Sequence, residues 1–185
     1  MQASQYRLVA YKKNEASQYA AQISTLFHHA VSSIRHPRYN QAQLQAWSKA
    51  PRSARHWLNQ LKYGKTWLIL ELAAPITAES ENETAYNSGK LVGFISLETQ
   101  FKRQGYISHL YVHPLAQGLH LGSKLILCAQ NWASAEGYKQ LSTDASYLSK
   151  GLFERHGFIH QGKSFQNKLA QVITGFEMTK SLCQP

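Results

Sequence analysis

The stretch from Gly105 to Ser123, GYISHLYVHPLAQGLHLGS, restricts the possible folds more than any other part of the chain. Residues 106–112 alternate as a strand does, Pro114 stops them, and Gln117-Gly118-Leu119-His120-Leu121-Gly122 forms a short glycine-bearing loop. Apolar positions at helical spacing then predict a helix from about Leu119 to Glu136, closed by Gly137. A strand, tight loop and helix in this order turn several backbone N–H groups toward one point, where the helix dipole adds positive potential. Such a point suits a pyrophosphate. The spacing matches neither GxxxxGK[ST] nor a GxGxxG that follows a strand, which sets aside the two commonest nucleotide loops.

The flanking sequence alternates as an α/β domain does. Residues 5–12 read as a first strand. Ala16, Tyr19, Ala20, Ile23, Leu26, Phe27, Ala30, Val31 and Ile34 then repeat at helical spacing up to Pro37. Leu44 with Trp47, and Ala54, Trp57, Leu58 and Leu61, predict two helical pieces split by Pro51, with Gly64 as the C′ residue of the second. Strands are expected at 66–72, 91–98 and 139–144, and near 158–165 and 172–179. A helix is expected at 147–156, ended by Gly157. The polar, turn-rich stretch 73–90 reads as a mobile connection within a single domain covering residues 1–185.

Composition excludes several function classes. Hydrophobic residues make up 43%, yet no apolar run reaches the roughly 18 residues that a membrane helix needs. The opening residues turn polar at once, unlike a secretory signal, so the expectation is a cytoplasmic protein. Cys128 and Cys183 form no disulfide or metal pattern, and His28-His29 lacks ligand spacing. The net charge of +10 favours an anionic partner, and a phosphorylated small molecule and nucleic acid both qualify. The basic residues are scattered, however, and no nucleic-acid-binding motif accompanies them.

Two motifs carry a resemblance to a known family. Gln117-Gly118-Leu119-His120-Leu121-Gly122, preceded by Leu110-Tyr111-Val112-His113-Pro114, resembles the acyl-CoA loop of the GNAT superfamily of N-acetyltransferases. The segment from Ser149 to Phe158, SKGLFERHGF, resembles that family's late helix. Trp47 and the phenylalanine form of that helix resemble a bacterial subgroup. The resemblance implies a mixed, mostly antiparallel central sheet flanked by helices, with splayed central strands. It implies an acetyl-CoA-dependent enzyme that acetylates a primary amine of a small molecule or peptide by direct attack. The pantetheine arm would lie along strand 106–112, with the oxyanion donor among the backbone N–H groups of Leu110, Tyr111 and Val112. Gln117, Gly118, Leu119, His120, Leu121, Gly122 and Ser123 would wrap the pyrophosphate, and Ser149 and Phe153 would border the cofactor from the late helix.

The sequence departs from the family pattern at two points. His120 replaces the loop's central glycine, and is expected to sit at an ordinary helical φ with its ring turned aside. Phe153 stands where many family members carry a tyrosine that protonates the departing thiolate; Tyr147 is the candidate substitute. Glu98 and His109 are the candidate bases. Strict alternation places Tyr106, Ser108 and Leu110 on one face of the strand and Ile107, His109 and Tyr111 on the other, so that His109 reaches the site only if a bulge changes the register. Asp144 is a candidate either for an acceptor amine or for a helix N-cap, and Trp47 and Trp57 for an aromatic wall of the acceptor cleft. A CoA-binding protein without catalysis, or a basic protein associated with nucleic acid, are the alternative readings.

Overall fold

The structure, a computed structural model, describes residues 5–12, 16–72, 89–100 and 104–182. The expected connection at 73–90 falls outside the described residues apart from its last two, and so does Cys183. In chain order the elements are β1 (Gln5–Ala10), α1 (Ala16–Ser32), α2 (Gln41–Trp47), α3 (Ala54–Leu61), β2 (Gly64–Leu72), β3 (Lys90–Glu98) and β4 (Tyr106–Val112). A 3-10 turn (Pro114–Ala116) leads to α4 (Leu121–Ala135), β5 (Gln140–Ala145), α5 (Lys150–Arg155), β6 (Ile159–Lys168) and β7 (Gln171–Ser181).

The seven strands form one sheet in the order β1-β2-β3-β4-β5-β7-β6. Every neighbouring pair is antiparallel except β4–β5. The run Thr66–Leu72 shows why both faces are covered. Trp67 and Ile69 pack into one core with α4 and α5, while Leu68 and Leu70 pack into a second with α1, α2 and α3. A strand buried on both faces needs a continuous apolar run, and this one has it.

Local chemistry accounts for most boundaries. The α1 stripe Tyr19, Ala20, Ile23, Leu26, Phe27 and Val31 is buried as its spacing demands. Asn40 and Gln43 close a capping box at the start of α2, and Ser53 accepts from the N–H of His56 to start α3. Gly137 and Gly157, both at positive φ, follow the two late helices as expected. Gly64 does not act as a helix C′ residue. It opens β2, where a Cβ would meet the Leu97 carbonyl oxygen at 2.8 Å, so close strand approach is what requires glycine there. The helix expected at 147–156 starts only at Lys150, because Ser146 and Ser149 bond each other's backbone N–H groups in a preceding turn that contains Tyr147.

Candidate functional site

Strands β4 and β5 pair at only two positions, Tyr106 with Ser142 and Ile107 with Thr143, and then part. Thr143 Oγ1 marks the fork by donating to the carbonyl of Ile107 (2.9 Å). On the other side β4 stays paired to β3, and the N–H of His113 donates to the carbonyl of Val92 at 2.7 Å. Hydrogen-bonding direction alternates along an antiparallel strand, so the N–H groups of Tyr111 and His109 also point to β3. Those of Leu110 and Val112 point into the gap. The gap opens a cavity of about 450 Å³, lined along one wall by residues 107–112 of β4.

The loop after β4 supplies a second wall. Gln117 folds back to donate from Nε2 to the carbonyl of Val112 (3.2 Å), and Gly118 turns at φ +80° with open space where a Cβ would stand. His120 is the N-cap of α4 at φ 56°, ψ 15°, and its side chain makes no capping bond. The expectation of a helical φ here is therefore overturned: the histidine keeps the left-handed conformation natural to the glycine it replaces. The reason lies in the turn, which must reverse between Gly118 and the first helical residue, Leu121; histidine is among the non-glycine residues that enter this region most often. Lys124 is the first residue whose N–H finds a helical acceptor, the carbonyl of His120 at 3.1 Å. The N–H groups of Leu121, Gly122 and Ser123 are thus left at the positive end of the helix dipole. Gly122 is buried, and a Cβ there would come within 2.9 Å of Leu152 Cδ2. Orphan donors at a helix N-terminus, with open space beside Gly118, fit a diphosphate.

Residues 37–182, which include the loop and most of the cavity lining, match the family model for acetyltransferase (GNAT) domains. The chain belongs to that family. It is an acetyl-CoA-dependent acetyltransferase, with acetyl-CoA as the cosubstrate. No curated protein matches the chain by sequence. Among solved structures, the GCN5-related N-acetyltransferase from Rhodopseudomonas palustris is 24% identical, with a TM-score of 0.72 over 98% of this chain and 99% of that one. The yncA protein of Salmonella typhimurium, solved with acetyl-CoA, is 18% identical over 97% and 95%, with a TM-score of 0.64. The PaiA N-acetyltransferase from Thermoplasma acidophilum, solved with coenzyme A, is 14% identical over 96% and 99%, with a TM-score of 0.63. At these identities the likeness concerns the fold, and the fold is the one the sequence motifs implied.

Of the residues expected on the cofactor side of this GNAT chain, Leu110, Tyr111, Val112, Gln117, Gly118, His120, Leu121, Gly122, Ser123, Ser149 and Phe153 all line the cavity. Leu119 is outside the lining, with its side chain 46% exposed. The three candidate catalytic groups separate. His109 lines the cavity; Glu98 and Tyr147 do not. Glu98 pairs with Tyr106 at the opposite end of β4 from the loop. Tyr147 is packed, stacked on His36 and edge-on to Tyr39 and Phe176. Phe153 is 2% exposed, edge-on to Phe158, and brings no hydroxyl.

A bulge decides the position of His109. Ser96 pairs with His109 but Leu97 pairs with Ile107, leaving Ser108 as the extra residue on β4. The strict alternation expected for this strand is therefore broken. Ile107 joins the α4-side core, with Leu110 and Val112 packed against it, whereas His109 and Tyr111 both turn toward α1 and α3. The His109 ring meets Trp57 (5.2 Å) and Phe94 (6.0 Å), and its Nδ1 shares a 3.1 Å hydrogen bond with Ser108 Oγ. Burial, then the charges of Lys168 and His56, lower its pKa to about 4. The ring is neutral near pH 7.

On the acceptor side the sequence named Trp47, Trp57 and Asp144 as candidates, and Lys168 escaped it. Trp47 lines the cavity as an aromatic wall, and its Nε1–H donates to the Tyr111 hydroxyl (3.2 Å), while burial pushes that phenol's pKa up. Trp57, the other candidate for that wall, is buried beneath it instead. Asp144 lies within β5 and so is no helix cap; its Oδ2 accepts from the Tyr106 hydroxyl (2.7 Å) at the edge of the cavity. Lys168 comes from the far end of β6, with no local sequence signal to tie it to His109.

Proposed function

We propose that residues 1–185 act as one domain that moves the acetyl group of acetyl-CoA to a primary amine of a small molecule or peptide, by direct attack with both substrates bound. The observation that supports this reading is the Ser108 bulge, which sets His109 on the α1 and α3 side of β4 among the residues that line the cavity. Acetyl-CoA supplies the thioester carbon. His109 takes the proton that the amine loses as its nitrogen bonds to that carbon, and the sulfur leaves as a thiolate. A proton on nitrogen becomes more acidic as the N–C bond forms, so an imidazole of low pKa still serves as its acceptor. The gap-facing N–H groups of Leu110 and Val112 stabilise the developing negative charge on the carbonyl oxygen. The N–H groups of Leu121, Gly122 and Ser123 hold the pyrophosphate. Phe153 offers no proton, and none is required: a thiolate with a parent pKa of about 8.5 leaves near neutral pH unaided.

The test is His109→Gln, followed by thiol release from acetyl-CoA with a panel of amines. The expected result is a kcat lower by about 10²–10⁴-fold with little change in the KM for acetyl-CoA. An unchanged kcat would remove His109 from the role of base.

A further inference from the structure

We infer that the acceptor amine carries a neutral carbonyl oxygen close to its nitrogen, and that the Tyr111 hydroxyl, oriented by Trp47, donates a hydrogen bond to that oxygen. The inference rests on the acetyl-transfer reading and narrows its substrate to α-amino amides.

The Ser108 bulge sets Tyr111, like His109, on the side of β4 that faces α1 and α3. The Tyr111 ring lies edge-on to Phe27 (4.8 Å) and stacked on Phe94 (5.7 Å), which fixes where its hydroxyl ends. Trp47 reaches the same point from α2. The capping box of Asn40 and Gln43 starts that helix, and Trp47 is its last residue. Tyr39 packs edge-on against the indole (5.6 Å). Tyr39 is itself held at both ends of its hydroxyl, which donates to the Thr174 carbonyl (3.3 Å) and accepts from the Tyr147 N–H (3.1 Å). Gln43 Nε2 fastens α2 further by donating to the carbonyl of Val172 (2.8 Å).

An indole N–H can only donate, so the 3.2 Å bond between Trp47 and Tyr111 makes the phenol oxygen the acceptor. The phenolic proton must then point elsewhere. Among the described residues no group accepts it. Burial raises the pKa of this phenol, so the proton stays on near neutral pH. Tyr111, Trp47, Ala30 and Ile34 all line the cavity, which places a spare donor at a largely apolar wall. Such a donor favours a ligand that accepts its proton and disfavours one that does not. A carbonyl suits it because it brings no proton of its own, and the side chains of Ala30, Ile34 and Trp47 could accept none. A carboxylate suits it less. Among the described residues the lining holds no lysine, and its arginine, Arg155, comes from α5. The carboxylate in the lining, Asp144, lies between Thr143 and Ala145 on β5, and Ala145 faces the α4 core. Alternation therefore puts Asp144 on the acceptor side, where it repels a second negative charge. The His109 and Tyr111 ring centres are 6.4 Å apart. Two hydrogen bonds of about 3 Å and the short link from an amine to its α-carbonyl span that separation.

Two readouts test the inference. In the first, thiol release is followed for wild type, Tyr111→Phe and Trp47→Phe with α-amino amides, the alkylamines of matching size that lack the carbonyl, and the free amino acids. Wild type is expected to prefer the amides over both by about tenfold or more in kcat/KM. Tyr111→Phe should lose the preference over alkylamines mainly through KM, and Trp47→Phe should reduce it. Disturbed packing alone would lower both members of a pair together and leave their ratio unchanged. In the second, the N-acetyl amides and N-acetyl alkylamines are titrated by calorimetry in the presence of coenzyme A. The amides are expected to bind more tightly by a similar factor to wild type, but not to Tyr111→Phe. Equal turnover within the pairs, free amino acids used as well as their amides, a preference that survives Tyr111→Phe, or equal or absent binding of the acetylated forms would overturn the inference. If no amine is acetylated, the acetyl-transfer reading fails, and the titration still decides whether Tyr111 reads a carbonyl.

Discussion

Position 120 offers the sharpest check on the geometry of the cofactor loop. His120 is exposed, caps nothing with its side chain, and sits at φ 56°. Left-handed backbone costs an L-residue roughly 1–2 kcal/mol, toward the lower end for histidine and the upper for a β-branched residue. Glycine escapes that cost but loses about 0.4–1 kcal/mol through the greater freedom of its unfolded chain. His120→Gly should therefore be neutral or stabilising by about 0.5 kcal/mol, and His120→Val destabilising by about 1 kcal/mol. At roughly 2–4 °C per kcal/mol for a chain of this size, the Gly and Val variants should melt about 2–6 °C apart by calorimetry. At an ordinary helical φ the result would differ: valine and histidine have near-equal helix propensity, and glycine would be the worst of the three. A glycine variant that melts below the valine variant would refute the left-handed assignment and, with it, the account of how the N–H groups are aimed.

Two further outcomes follow from the site. The His109 pKa is lowered to about 4 from an ordinary 6.5, by burial first and then by Lys168 and His56. Between these values the unfolded chain binds the proton that the folded chain refuses, so this group's contribution is complete above pH 6.5 and is lost as pH falls toward 4. Thermal melts should show a steeper loss of stability from pH 6.5 to 4 in wild type than in His109→Gln; parallel curves would count against a buried neutral imidazole. Gly122→Glu should weaken acetyl-CoA binding by tenfold or more in titration calorimetry, because it brings a carboxylate to the N–H groups of α4. Gly122→Ala should fold normally, since only the end of the Leu152 side chain must move; undiminished binding by the glutamate variant would remove the loop from the cofactor site.

The cavity wall and the loop proposed to hold the cofactor were legible in the sequence because backbone shapes them and local residues specify that backbone. Pro114, Gly118, Gly122 and the helix that follows define where the N–H groups go, and the apolar run at 66–72 declares a strand buried on both faces. The bulge at Ser108 could not be read. A period-two pattern carries no mark of an inserted residue when Tyr106, Ile107, His109 and Tyr111 are all compatible with a buried face. Nor did a single glycine at position 64 reveal whether it ended a helix or allowed two strands to approach.

The acceptor half is assembled from distant pieces, so no window of sequence contains it. His109 comes from β4, Trp47 from α2 and Trp57 from α3. The gap beside His109 and Trp47 exists because β4 leaves β5 after two pairs. Donor and acceptor would meet through one gap, with His109 at its edge.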